Sequence, residues 1–167
     1  MRKNKFEKLF PNGLLPDTTT PFVHKGEWAI HELLPFLLSC TGAAHVRVAT
    51  FNISEDSLRP MFFLLEEKKI NRLQLLLDMN VRRHKLELLL FAANITPEVR
   101  LTNNHAKMML IENSDWCVGV VGSANLNNNP RYEAGFVFTG HRYYDYFKEA
   151  FDSAYENDSL PFEWEAP

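Results

Sequence analysis

The sequence predicts an α/β domain with a mixed β-sheet flanked by helices. Three observations lead there. Through the first hundred residues, apolar runs of helical period alternate with short strand-like runs, the rhythm of parallel strands joined by helices. Strand-like runs then follow one another with short connections, the rhythm of antiparallel pairs. The chain closes on one long amphipathic helix. At 167 residues it is read as one domain, large enough to bury a core. The expected organisation is an extended N-terminal arm over 1–26, a domain over 27–158 and a tail over 159–167.

Each element follows from local pattern. The arm carries Pro11, Gly13, Pro16, Pro21 and the run DTTT, which favour loops. Glu27 to about Ser39 reads as a helix that Pro35 should kink or shorten. HVRVATFNI is a strand. Ser54 then caps a helix with Leu58, Met61, Phe62 and Leu65 on one face. RLQLLLDM is the next strand, and 81–94 a helix with Leu86, Leu89, Leu90 and Ala93 inward. VRLTN, HAKMMLI, CVGVVGS and EAGFVFTG are strands, with ENSDW a hairpin turn. His141 to Glu156 is the closing helix, with Tyr144, Phe147, Phe151 and Ala154 on its inner stripe.

Charge narrows the function classes. The formal net charge of −3 is not the global basic signature of many nucleic-acid binders. Its distribution is uneven. Lys68 to Lys107 holds eight Lys/Arg against three Asp/Glu, and His141 onward holds two against seven. Cys40 and Cys117 have neither metal-site nor disulfide-framework spacing. The basic N-terminus lacks an uninterrupted apolar stretch, and no segment approaches a membrane span. The expectation is a soluble, cytoplasmic protein without cofactor or metal.

The chemistry concentrates in NNHAKMMLIE and GSANLNNNPRYE. An imidazole and an ammonium two residues apart in an apolar run are costly to bury unpaired. If the run is a strand, His105 and Lys107 project together and Glu112 falls on the opposite face. Gly122 would let backbone approach a ligand. Ser123 and Asn125 supply a hydroxyl and an amide, and Glu133 a carboxylate. Stabilising charge on a phosphoryl group uses such parts. Rival motifs fail: the glycines make no dinucleotide or P-loop pattern, Ser123 lacks a nucleophile elbow, and no spacing suits zinc.

H-x-K-x4-[D/E] followed by G-S-x-N resembles the active-site signature of the phospholipase D superfamily, and most of all its small single-motif members typified by bacterial endonucleases. The resemblance implies that His105 attacks phosphorus and forms a phosphohistidine. Lys107, Ser123 and Asn125 would hold the phosphate oxygens, and Glu133 would orient the histidine. Two copies of the motif meet in the family, so a single-motif chain would form a homodimer whose second His105 protonates the leaving group, with no metal. Glu112 stands where the family usually has Asp, a structural position. The hairpin between Glu112 and Gly122 is longer than usual, and Asn125 to Glu133 shorter.

The implied activity is that of a metal-independent phosphodiesterase, foremost a nuclease. Arg82, Arg83 and Lys85 are candidates to track a nucleic-acid backbone, or else a solvated helix face. Lys68, Lys69 and Arg72 would join them if the fold brings them near. His24, His31, His45, His84 and His141 match no motif and read as structural or exposed. Two alternatives stay open: a lipid phosphodiesterase, with Phe162 and Trp164 at an apolar entrance, and a non-catalytic phosphate-binding module. Intact His105 and Lys107 weigh against the second.

Overall fold

A computed structural model describes residues 5–163. Among these residues eight strands form one mixed sheet: β1 (Thr19–His24), β2 (Ala44–Thr50), β3 (Ile70–Asp78), β4 (Val99–Thr102), β5 (Met108–Glu112), β6 (Cys117–Gly122), β7 (Glu133–Thr139) and β8 (Leu160–Pro161). Their order across the sheet is β1-β7-β6-β5-β2-β3-β4-β8. β2, β3 and β4 run parallel, and all other neighbours pair antiparallel. β1 lies in the segment read as an extended arm and forms one edge of the sheet; β8 lies in the tail and forms the other. Trp164 falls outside the described residues. Phe162 packs partly buried against the main core, its N–H donating to Val99 O, so it presents no free apolar entrance.

Among the described residues, five α-helices cover the sheet: α1 (Leu33–Thr41), α2 (Glu55–Glu66), α3 (Met79–His84), α4 (Leu86–Ile95) and α5 (His141–Asn157). The core on one face joins Leu34, Leu37, Leu58, Met61 and Leu89 from helices to Val46, Val48, Leu75 and Met109 from strands. On the other face Ala49, Leu76, Leu110 and Phe138 lie beneath Tyr144 and Phe151 of α5.

Several boundaries differ from the sequence reading, each for a physical reason. The first helix starts later, after a 3-10 turn at Ile30–Glu32. Pro35 then falls in the first turn of α1, where its missing N–H has no helical partner to lose. In α2 the inward stripe is Leu58, Met61 and Leu64, while Phe62 turns outward against Phe63. The helix expected over 81–94 is two, broken at Lys85 (φ −142°, ψ 48°). The Lys85 ammonium there donates to Asn52 Oδ1 at 2.7 Å and Ile53 O at 3.2 Å. β5 begins only at Met108, so His105 and Lys107 stand on the extended segment before it.

Glu112 does face away from His105's side of the strand and joins a network under α5. It accepts hydrogen bonds from Arg47 Nη1 at 2.9 Å and Lys148 Nζ at 2.9 Å, and from Tyr144 Oη at 3.3 Å. Burial pushes its carboxyl up, but the hydrogen bonds from Lys148 and Arg47 outweigh that and hold it below the usual range. A depressed carboxyl stabilises the fold above its unfolded pKa, and that contribution fades as pH falls through the folded value. Glu112→Gln is therefore expected to cost about 2 kcal/mol at neutral pH, and less in acid, measured by urea unfolding.

Candidate active site

The candidate residues gather at one end of the sheet. Because β2 and β3 are parallel while β5 runs against β2, the carboxyl ends of β2 and β3 meet the start of β5. The end of β6, the start of β7 and the end of edge strand β1 join them. Open α/β sheets bind ligands at such carboxyl ends.

His105 is exposed and rests on Phe51, with ring centroids 4.8 Å apart. Lys107 Nζ donates to His105 O at 2.8 Å and lies 3.2 Å from His105 Nδ1. Lys107 borders a small, partly open pocket with His31, Met109, Val120 and Leu126, and its ammonium lies 5.7 Å from the Phe51 ring. Desolvation there lowers the Lys107 pKa, with Glu133 acting weakly in the other direction.

The segment bearing His105 has no strand ladder of its own. Asn104 replaces it. Buried, it donates its N–H to Asp78 Oδ2 at 2.8 Å and its side-chain amide to Leu76 O at 3.2 Å. Asn104 Oδ1 accepts the Ala106 N–H at 2.9 Å. The other Asp78 oxygen caps α3 at Asn80 N, 2.8 Å away. Sequence reasoning missed both residues. The signals were there: an acid just before a helix and an asparagine in a turn.

A second set of bonds fixes the GSAN segment. Ser123 N–H donates to Ala134 O at 2.9 Å, and Ser123 Oγ accepts the Ala134 N–H at 3.1 Å. The Ser123 hydroxyl donates to buried Glu133, whose other oxygen accepts Asn129 Nδ2 at 2.8 Å. Glu133 thus holds Ser123 in this chain, not His105. Asn125 Oδ1 accepts the Asn52 N–H at 3.2 Å, with Thr50 Oγ1 3.5 Å away. A backbone N–H can only donate, so the Asn125 amide is oriented with Nδ2 left to donate to a ligand. Thr50 and Asn52 were not recognised from sequence, because nothing local marks a residue that acts across 73 positions. Gly122 has a packing reason: a Cβ there would meet Ala134 O at 2.5 Å.

The basic candidates divide. Arg82 and Arg83 are exposed on α3, the helix tied to the His105 segment through Asp78. Lys85 anchors the Asn52 loop that orients Asn125. Lys68, Lys69 and Arg72 lie around the start of β3, at the other end of the sheet. Lys69 pairs there with Glu67, and Arg72 with Glu98. Among the other histidines, His24 and His31 are buried, His45 bonds Gln74 at 2.8 Å, and His84 and His141 are exposed.

No protein-family model and no curated protein sequence matches the chain. Solved structures do. The fold is similar to NucT from Helicobacter pylori, at 14% identity and a TM-score of 0.63, over 87% of this chain and 100% of that one. It is also similar to phosphatidylserine synthase from Haemophilus influenzae Rd KW20, at 17% identity and a TM-score of 0.56, over 89% of this chain. A third likeness is to polyphosphate kinase from Porphyromonas gingivalis, at 12% identity and a TM-score of 0.60, over 99% of this chain. All three have folds of the phospholipase D superfamily. The chain has a phospholipase D-like fold. It spans 41% of the synthase chain and 33% of the kinase chain. Within the phospholipase D-like fold no helix among the described residues is long and apolar enough to cross a membrane.

Asp78→Ala removes the acceptor for Asn104 N–H and the α3 cap together. It is expected to destabilise the chain by about 2 kcal/mol and to speed amide exchange over 103–107, read by hydrogen–deuterium exchange.

Proposed function

We propose that the chain is a metal-independent phosphodiesterase of the phospholipase D type, cleaving nucleic acid as a homodimer through a phosphohistidine. The observation that carries this reading is the convergence of His105, Lys107, Ser123 and Asn125 at one sheet end, each backed by hydrogen bonds. In it, His105 Nε2 attacks phosphorus, and the P–N bond forms as the P–O bond to the leaving group breaks. His105 of a second copy gives that oxygen its proton. Water then attacks the phosphohistidine, the P–N bond breaks, and the second histidine takes up the water's proton. Lys107, the Ser123 hydroxyl and Asn125 Nδ2 meet the non-bridging oxygens, where charge grows. Glu133 contributes by setting Ser123.

The resting contact between Lys107 and His105 has a consequence for this sequence of steps. An ammonium only donates, so Nδ1 is an acceptor in that contact. A nucleophilic Nε2 needs its proton on Nδ1 instead. Lys107 must therefore leave Nδ1 before attack, and a bound phosphate oxygen gives it a stronger acceptor.

His105→Ala is expected to abolish phosphodiester cleavage, and Lys107→Ala to cost about two to three orders of magnitude in rate. Activity should survive EDTA; loss on chelation with recovery on adding metal overturns the reading. Because burial depresses the Lys107 pKa and the reaction needs its ammonium, kcat/KM should fall on the alkaline side at a pH below the ordinary lysine range. Lys107→Arg should remove that alkaline limb at lower activity. Since one chain supplies one His105, sedimentation should give a two-fold dimer, and a fully active monomer overturns the shared site.

A further inference from the structure

Side chains of β7 alternate, so Ala134, Phe136 and Phe138 share the α5 side of the sheet. On edge strand β1, Val23 lies opposite Ala134 and Pro21 opposite Phe136. Only the far part of this face is covered: Phe138 is buried against Phe147 of α5, beside Tyr143. The part nearer the site is open, with Phe136 52% exposed, Val23 70% and Tyr132 73%. Each end of the strip carries a cation over an aromatic ring. Lys25 Nζ lies 5.1 Å from the Tyr132 ring centroid, and the Arg142 guanidinium lies 5.0 Å from that of Tyr143. Tyr132 immediately precedes Glu133, and Lys25 follows His24, the register partner of Glu133. The strip therefore starts beside Ser123 and runs the length of β7, about 20 Å.

We propose that this strip is a subsite for single-stranded nucleic acid, occupied by the stretch of strand next to the phosphate held at His105. The proposal rests on the phosphodiesterase reading above and names the substrate and the residues that extend its site. Bases of the strand stack on Tyr132, Phe136 and Tyr143, while Lys25 and Arg142 meet the backbone phosphates. An open aromatic face accepts any base, which gives affinity without sequence preference. A lysine over an exposed ring is held weakly beside a stacked base, so Lys25 gives up the ring to the base and turns to a phosphate. A duplex keeps its bases stacked on each other and cannot use the strip. An apolar surface this open, with a cation at each end and its first residue, Ala134, bonded through its backbone to Ser123, has the chemistry of a strand-binding track. Glu27 lies close by, but its carboxylate accepts the Lys25 backbone N–H, and the ammonium remains over Tyr132.

The test compares three substrates of one enzyme: an oligothymidylate, an abasic strand of equal length, and methyl p-nitrophenyl phosphate. Tyr132→Ala is expected to raise KM for the oligothymidylate about ten-fold. It should leave KM for the abasic strand and the small diester unchanged, and Tyr132→Phe should restore the wild-type value. Lys25→Ala should flatten the salt dependence of KM for both strands but not that of the small diester. An unchanged KM for the oligothymidylate in Tyr132→Ala overturns the subsite. So does a change in sedimenting mass with equal losses on all three substrates, which assigns the strip to contact between copies. Wild type that cleaves only the small diester overturns the nucleic-acid subsite and leaves the phosphodiesterase reading standing. Wild type that cleaves none overturns that reading itself.

Discussion

The pairing of β2 on both sides is the constraint on which the rest depends. β2 runs parallel to β3 and antiparallel to β5, and it is buried along nearly its whole length. A strand in that place must release its chain at Thr50, where the ladder with β3 ends one residue after the ladder with β5. The released residues, Phe51, Asn52 and Ile53, then cross the end of the sheet. Phe51 carries the ring beneath His105, Asn52 orients Asn125, and Ile53 bridges to Leu126. The antiparallel partner delivers His105 and Lys107 to the same place from the other direction. Reversing one of the two pairings would send one half of the site to the opposite end of the sheet.

Burial and polarity are divided between the two faces by the same strands. On β5, Met109 and Ile111 enter the larger core while Leu110 and Glu112 face α5. Lys107, two residues before Met109, stays on the larger-core side, where it borders the same pocket as His31 and Met109. Alternation is therefore enough to separate the catalytic candidate Lys107 from the structural Glu112, even though the strand itself starts one residue after Lys107. Glu112 is satisfied by three donors under α5 and contributes nothing to the sheet end.

How much of this was legible in the sequence depends on the range of the signal. The helix–strand alternation, the hairpin at ENSDW and the inner stripe of α5 are local patterns, and each reappears in the fold. His105, Lys107, Ser123 and Asn125 were singled out as candidates by two short motifs, and the fold brings them to one end of the sheet. The basic cluster was not. Charge counted along the chain joins Lys68, Lys69 and Arg72 to Arg82 and Arg83, but β3 runs between the groups and sets them at opposite ends of the sheet. The hydrogen-bond partners of Glu133 were not legible for a related reason. Sequence offers no measure of which donors reach a carboxylate first, and Ser123 and Asn129 hold both of its oxygens. The edge strand β1 hid in a proline-containing arm because Pro21 is tolerated at a sheet edge, where no second neighbour needs its N–H.

The residues of the candidate site stand outside regular structure, and this has an energetic consequence. A side chain on a strand inherits its direction from the ladder. His105, Lys107, Ser123 and Asn125 have no complete ladder, so direction must come from elsewhere. Here it comes from short polar side chains bonded to backbone, Asp78 to Asn104 N, Asn104 to Ala106 N, Asn125 to Asn52 N and Asn129 to Arg131 N, with the Asn129 amide also donating to the Glu133 carboxylate. Asn and Asp suit this work because their side chains reach a neighbouring backbone group without many rotors to freeze. Each such bond is modest alone, but removing the Asp78–Asn104 bond leaves a buried group unsatisfied, which costs more than the bond contributed. The asparagine-rich runs NNH and NLNNNP, which look like plain loops, are thereby the frame that holds the candidate side chains in place.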